Sequence, residues 1–182
     1  MKNIIIISIF SLLCIEAAAQ VDYYANHDTV AGSNVIYKVK STASNYFYII
    51  SNINNTYDDE PIRYHNGQLA ERNDKFTATQ IGDRKQLYRQ AIEETFTAAE
   101  ITGLRSSNEW VDVSYKIDLS GNIMEVHFMF PKHPKMYSIP PDKWFTLEQK
   151  IKTYIKFSIP ERSKVVTFLA ASIRVYFDKL YN

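Results

Sequence analysis

The side chains best suited to chemistry are few and lie far apart in the chain. His127 and His133 are six positions apart across the end of an apolar run and a proline-containing loop, and Glu125 shares the alternation phase of His127. Imidazole and carboxylate groups in such a pattern could hold a metal ion weakly. A histidine exposed on a strand outweighs that reading. Residues 52–60 are rich in oxygen ligands, with Asp58, Asp59 and Glu60 in succession. They could contact calcium, but the alternating ligands and the glycine of a helix–loop–helix calcium site are absent. A solvated loop is expected there.

Nucleophiles are equally sparse. The single cysteine, Cys14, lies in the amino-terminal apolar segment, so the body of the chain has no thiol nucleophile and no thiolate metal ligand. His-Glu-x-x-His, Gly-x-Ser-x-Gly and Ser-x-x-Lys are absent, and the five glycines are dispersed, which leaves no phosphate-cradling loop. No catalytic, cofactor-binding or metal residue is assigned on this basis, and a non-catalytic protein is the expected class. Serines and carboxylates remain plentiful, and triads are defined by geometry rather than spacing, so a hydrolase acting on envelope or host polymers is the alternative. Tyr37, Tyr46 and Tyr48 could form a sugar-stacking platform, although tyrosine is also favoured in strands for packing reasons alone.

The amino terminus has Lys2, an apolar run from Ile4 to Ile15, and then Ala17, Ala18 and Ala19. This is the three-part pattern of a secretory signal, with cleavage expected between Ala19 and Gln20. Residues 1–19 are therefore read as a signal peptide, and the protein as exported to the periplasm, the outer membrane or the exterior. Lipid anchoring on Cys14 is the rival, but the preceding Leu13 is bulky where a small residue is wanted. No later segment is apolar for long enough to span a bilayer. Residues 20–130 carry a net charge of −5 and residues 131–182 a net charge of +6. A basic carboxyl-terminal third could meet an anionic surface, but two halves facing each other within one fold is favoured. Nucleic acid is not an expected partner.

These residues must be positioned by a small set of elements. Residues 34–40 and 46–53 are apolar, β-branched and aromatic runs separated by a short polar stretch, the pattern of a hairpin. Residues 54–74 read as a long surface excursion and residues 75–80 as a short strand. Asp83, with Gln86 three positions on, begins a helix over residues 84–102 whose stripe includes Leu87, Ala91, Thr95 and Ala99, and Gly103 is its expected stop. From Trp110 the period becomes two, with Val111, Val113, Tyr115 and Ile117 on one face. Asp118 to Gly121 then forms a turn with glycine left-handed.

In the return strand, residues 123–130, Ile123 should face Ile117 on the buried side. Val126, Phe128 and Phe130 have the opposite parity. One inserted residue resolves the conflict and turns Glu125 and His127 outward to solvent. Past a proline-rich loop over residues 131–141, Thr146 and Gln149 cap a second helix with Leu147, Ile151, Tyr154 and Ile155 buried and Lys150, Lys152 and Lys156 in water. Pro160 ends it. A last strand over residues 170–177 alternates Ile173, Val175 and Phe177 against Ser172, Arg174 and Tyr176. The expected fold is α+β: one domain over residues 20–182, an antiparallel sheet with two helices packed on one face, preceded by an amino-terminal β-hairpin.

Ile117, Asp118, Gly121 and Ile123 in the hairpin, Leu147 through Pro160, and Ile173 through Phe177 follow an order that resembles the carboxyl-terminal domain of TonB-type energy transducers. The resemblance covers residues 83–177. It implies a domain that binds extended peptides through an exposed sheet edge, and it places the final strand, with Ser172, Arg174 and Tyr176, at or near that edge. The chain has no proline-rich spacer and no retained membrane helix, so energy transduction is not implied. Its alanine-rich junction and Asn-, Tyr- and Ile-rich body resemble the small exported proteins of unknown function of Bacteroidales. A protein or peptide partner in the cell envelope, with no cofactor, is the resulting expectation. Membership of a surface fibre or complex is a further alternative.

Overall fold

A computed structural model describes residues 21–71 and 74–182. The expected cleavage junction at Ala19 and Gln20, and Cys14, lie outside these residues. The chain runs β1 (Thr29–Ala31), β2 (Ile36–Ser41), β3 (Phe47–Asn52), β4 (Thr79–Gln80), α1 (Arg84–Glu93), α2 (Ala98–Ser106), β5 (Trp110–Ile117) and β6 (Ile123–Pro131). It continues with α3 (Pro134–Tyr137), α4 (Pro141–Tyr154), β7 (Phe157–Ser158), a 3-10 turn (Glu161–Ser163) and β8 (Leu169–Tyr176). Six strands form one antiparallel sheet in the order β1-β2-β3-β6-β5-β8, and β4 pairs with β7 apart from it. The α+β reading holds, with the amino-terminal hairpin β2–β3 built into the same sheet through β3 and β6.

Period-two alternation explains the central strands. On β5, Val111, Val113, Tyr115 and Ile117 are buried and the residues between them are not. The hairpin to β6 turns on Asp118, whose N–H donates to the Asn122 carbonyl at 2.9 Å, while Gly121 takes a left-handed φ of 89°. A Cβ on Gly121 would lie 1.8 Å from the Phe157 carbonyl oxygen, so both backbone angle and space demand glycine. In the ladder Ile117 faces Ile123, but Lys116 faces Glu125. Met124 is thus the inserted residue of a β-bulge, and Val126, Phe128 and Phe130 fall on the core face.

One face of the sheet is covered by the helices. Trp144 of α4 is fully buried, stacked on Phe130 with ring centres 4.8 Å apart and tilted against Phe128 at 4.9 Å. Leu147 and Ile151 follow it one and two turns on, and Ile155 at the helix end is buried too. Two polar ties hold this layer to the hairpin: Asp142 accepts both the Ser33 N–H and hydroxyl, and Tyr37 donates to the buried Glu148 at 2.9 Å.

The helices differ from expectation in two respects. The expected single helix over residues 84–102 is two helices, α1 and α2, because Thr97 opens a capping box of its own. The Thr97 Oγ1 accepts the Glu100 N–H, and the Glu100 carboxylate accepts the Thr97 N–H at 2.8 Å. The break lets Phe96 turn inward against Phe177, while Ala99 is exposed rather than part of a buried stripe. Gly103 lies inside α2, and Asn108, with a φ of 54°, follows the helix end instead. The second expected helix starts at Pro141 rather than at Thr146, since proline suits the first helical position. Thr146 is mid-helix, with its hydroxyl donating to the Asp142 carbonyl.

The uneven charge resolves within the fold. Arg174 pairs with Asp112, Lys150 with Glu94, Lys143 with Glu100 and His133 with Glu109. Each joins the basic carboxyl-terminal third to the acidic region before it. Among the described residues no helix is long and apolar enough to cross a membrane.

Candidate functional site

The face of the sheet opposite the helices carries the polar half of each strand's alternation. Pairing register brings Thr29, Lys38, Ser51, His127, Ser114 and Ser172 into one row, each facing the next across β1, β2, β3, β6, β5 and β8. A fully polar row across six strands is a consequence of register. It has no counterpart on the helix-covered face, where Val39, Ile50, Phe128 and Val113 line up instead.

The centre of this row is roofed by the chain that follows β3. Asn52 starts the fold-back, its side chain accepting the Asn54 N–H and its carbonyl the Asn55 N–H. The Asn55 side-chain amide then donates to the Val126 carbonyl of β6. The next two amides meet Glu125: its Oε1 accepts the Thr56 N–H at 2.5 Å and the Tyr57 N–H at 2.9 Å, with the Thr56 hydroxyl at 3.2 Å. Tyr57 packs its ring on Phe168 at 5.1 Å. Asp58 then drops onto the row, where Oδ2 accepts the Ser51 hydroxyl at 2.8 Å and lies 3.5 Å from the Lys38 ammonium. Its other oxygen, Oδ1, is 3.3 Å from His127 Nε2.

Glu125 and His127 therefore point away from the helices, as their parity requires, but they are largely screened from solvent. Glu125 is buried and the His127 side chain is 16% exposed. The expectation of exposure fails because the roof, which reads as a solvated loop, lies over both residues and satisfies Glu125 with its own amides. Burial lowers the pKa of His127, against the opposing pull of Asp58 and Glu125. Burial likewise lowers that of Lys116, whose ammonium sits over the Phe168 ring and donates to the Glu60 carbonyl at 3.3 Å.

Other sequence candidates are dispersed. His133 lies away from His127 and contacts Glu109 at 2.5 Å, so the two histidines form no joint site. Asp59 is exposed and pairs with Lys40, and Glu60 is exposed. Tyr37 and Tyr48 are buried on the core face while Tyr46 is 72% exposed, so no tyrosine platform forms. What the sequence reading missed is the meeting of Asp58 with Glu125 and His127. The signals were in view separately, as an acidic loop and a strand histidine, but Tyr57 and Glu125 are 68 positions apart in the chain.

Beside the roof lies an open groove of about 560 Å³, floored by Ile49, Met129 and Ser114 and walled by Asp112, Arg174 and Tyr176. Arg174 grips Asp112 through two bonds of 2.7 Å and stacks 3.8 Å from the Trp110 ring centre. The hydrogen bonds to Asp112 raise the guanidinium pKa further. β8 forms the rim of this groove and the edge of the sheet. The Phe177 N–H donates inward to the Glu109 carbonyl. Alternation along an antiparallel strand then turns the backbone groups of Ala170, Ser172, Arg174 and Tyr176 outward. The Tyr176 carbonyl accepts from Leu180 N–H at 3.3 Å. The opposite edge, β1, has only three residues.

Comparison with solved structures gives a match to a DUF5043 family protein from Bacteroides uniformis. The two chains superpose with a TM-score of 0.69 at 17% sequence identity, over 86% of this chain and 88% of the other. The two share a fold. That a Bacteroidales family of unknown function provides the structural relative agrees with the compositional resemblance. No family model matches the sequence, and no curated protein matches it. The TonB-type resemblance of residues 83–177 is not shown by these comparisons.

Proposed function

We propose that this protein is an exported, non-catalytic binding module of the cell envelope that takes an extended peptide segment along β8. The observation that carries the reading is the outer side of this eight-residue strand, where the backbone of Ala170, Ser172 and Arg174 is directed outward beside the groove and pairs with no strand among the described residues. An added strand would gain main-chain hydrogen bonds there, and its alternate side chains would face the groove walls. Small residues at Ala170, Ala171 and Ser172 leave room for them. Neither proline nor lysine blunts this edge, in contrast to the devices that ordinarily protect exposed strands. Export rests on the pattern of residues 1–19, and the TonB-type resemblance points to the same use of an edge.

The test is selection of unstructured peptides from a displayed library on the full chain, followed by proline substitution. Ser172→Pro and Arg174→Pro each remove one outward N–H, which an edge strand tolerates, and both are expected to reduce capture at least tenfold. Ser172→Pro is the cleaner variant, since Arg174 also holds Asp112. Thermal unfolding confirms that the domain remains folded. Undiminished capture by folded Ser172→Pro overturns the proposal. A second reading, a hydrolase, draws on the convergence of Asp58, Glu125 and His127. Turnover of a glycan or peptide substrate that disappears in Asp58→Asn would favour it.

A further inference from the structure

Two polar atoms beneath the roof lack what buried polar atoms ordinarily have. Asp58 Oδ1 and His127 Nε2 are both buried and neither has a hydrogen-bond partner among the described residues, although they lie only 3.3 Å apart. Their relative orientation is wrong for a hydrogen bond between them. The Asp58 side chain is only 9% exposed and that of His127 16%. Buried polar groups are ordinarily hydrogen-bonded, so two such atoms side by side mark a place suited to a ligand.

The surroundings are built to hold these atoms in place. Asp58 spends Oδ2 on the Ser51 hydroxyl and leaves Oδ1 facing the cluster. Glu125 spends Oε1 on the Thr56 and Tyr57 amides, and Oε2 has a single longer contact, 3.2 Å from the Tyr57 N–H. In each carboxylate one oxygen is anchored and the other left available, the division that outer-shell partners impose on metal ligands. Asp58, Glu125 and His127 each offer one ligand atom, and these atoms lie within 4.8 Å of one another. Two ligands on a tetrahedral zinc ion, at bond lengths of about 2.0–2.2 Å, stand roughly 3.4 Å apart. The Asp58–His127 separation already matches that edge.

We propose that Asp58, Glu125 and His127 form a binding site for a divalent transition-metal ion of the zinc class. One imidazole nitrogen and two carboxylate oxygens make a three-ligand set that suits zinc, with a fourth position left open. Calcium wants six to eight oxygens and magnesium an octahedron of them, so neither fits. The open position faces a pocket of about 420 Å³ lined by Ser114, Lys116 and Ser172, through which an ion and its water ligand would enter. Lys38 and Lys116 offset the two carboxylates. Lys38 is only 3.5 Å from Asp58 Oδ2 and its side chain is 38% exposed, so it can turn to solvent as the ion arrives. Bound there, the ion would clamp the roof to β6. The site does not depend on β8 pairing, and each proposal stands or falls on its own measurement.

The experiment is calorimetric titration of the full chain, stripped with chelator and dialysed, with ZnCl2, CaCl2 and MgCl2 in turn. One equivalent of zinc should bind, calcium and magnesium should not compete, and cobalt(II) should give the visible absorption of a low-coordinate site. His127→Gln and Asp58→Asn should each weaken zinc binding at least tenfold, and Ser51→Ala about tenfold through loss of the Asp58 anchor. His133→Gln should leave binding unchanged. A measurement on the unaltered chain needs no variant to fold: ring resonances of His127 should shift on adding ZnCl2 while those of His27, His65 and His133 stay. Absence of saturable zinc binding, unchanged affinity in folded His127→Gln, preference for calcium, or a shift at another histidine in place of His127 would each overturn the assignment.

Discussion

The two faces of the sheet are buried by different means. The helix-covered face is closed by apolar packing, in which Trp144 fills the space above Phe128 and Phe130. The opposite face is closed at its centre by the roof from Asn54 to Tyr57, and what holds that roof is a set of amide-to-carboxylate hydrogen bonds on Glu125. Phe128 and His127 are chain neighbours on β6, yet one is held by dispersion and area removed from water and the other by the chemistry of a single loop. Apolar contact tolerates small errors of direction; hydrogen bonds to a buried carboxylate do not. Stability should therefore reside on the first face and recognition on the second.

The largest expected effect tests the first half of that contrast. Phe128→Ala removes a fully buried ring and should cost about 3–5 kcal/mol by chemical denaturation, a large share of the ~5–15 kcal/mol typical of a domain. Ser114→Ala, on the polar row of the neighbouring strand, should stay within about 0.5 kcal/mol. Equal losses for the two would erase the distinction between the faces.

A smaller effect is expected where the helical layer is segmented. Thr97→Ala removes the cap of α2 and should lower stability by about 1 kcal/mol, read as a drop in the urea midpoint. An unchanged midpoint would mean that the turn between α1 and α2 is held by Phe96 packing alone.

The smallest effect is electrostatic. Glu94, at the end of α1, accepts from Lys150 at 2.5 Å, Tyr154 at 2.6 Å and Gln90 at 3.1 Å, and these bonds hold its carboxyl down to about 2. Because the folded-state pKa lies below the ordinary value, the contribution is complete above about pH 4.5 and is lost as pH falls toward 2. Surface exposure and salt screen it. Glu94→Gln should flatten the acid limb of stability between those values. A carboxyl resonance of Glu94 titrating near its ordinary value would remove the staple between α1 and α4 from the account.

Much of the covered face was legible in the residues themselves. Alternation on β5 and β6 marks their buried sides, and the parity conflict between Ile123 and Val126 demands the bulge that Met124 provides. Thr97 and Glu100 also carried a readable start signal, but the apolar stripe continuing through residues 87–99 masked it. Proline at 141 likewise marks a helix start that a threonine cap five residues later obscured. The closing of the other face left no periodic trace. Polar residues buried by hydrogen bonds look like polar residues in water, since both alternate against the same apolar partners.

By itself, then, the amino-acid sequence determined which side chains share a face, where the central hairpin turns and which strand needs an extra residue, because steric and hydrophobic preferences act between near neighbours. Only the tertiary structure decided that Thr29 through Ser172 form one polar row and that Asp58 meets Glu125 and His127. Those outcomes depend on which strands pair and where a loop lands. Such choices are set by the summed energy of contacts distant along the chain, which no local pattern encodes.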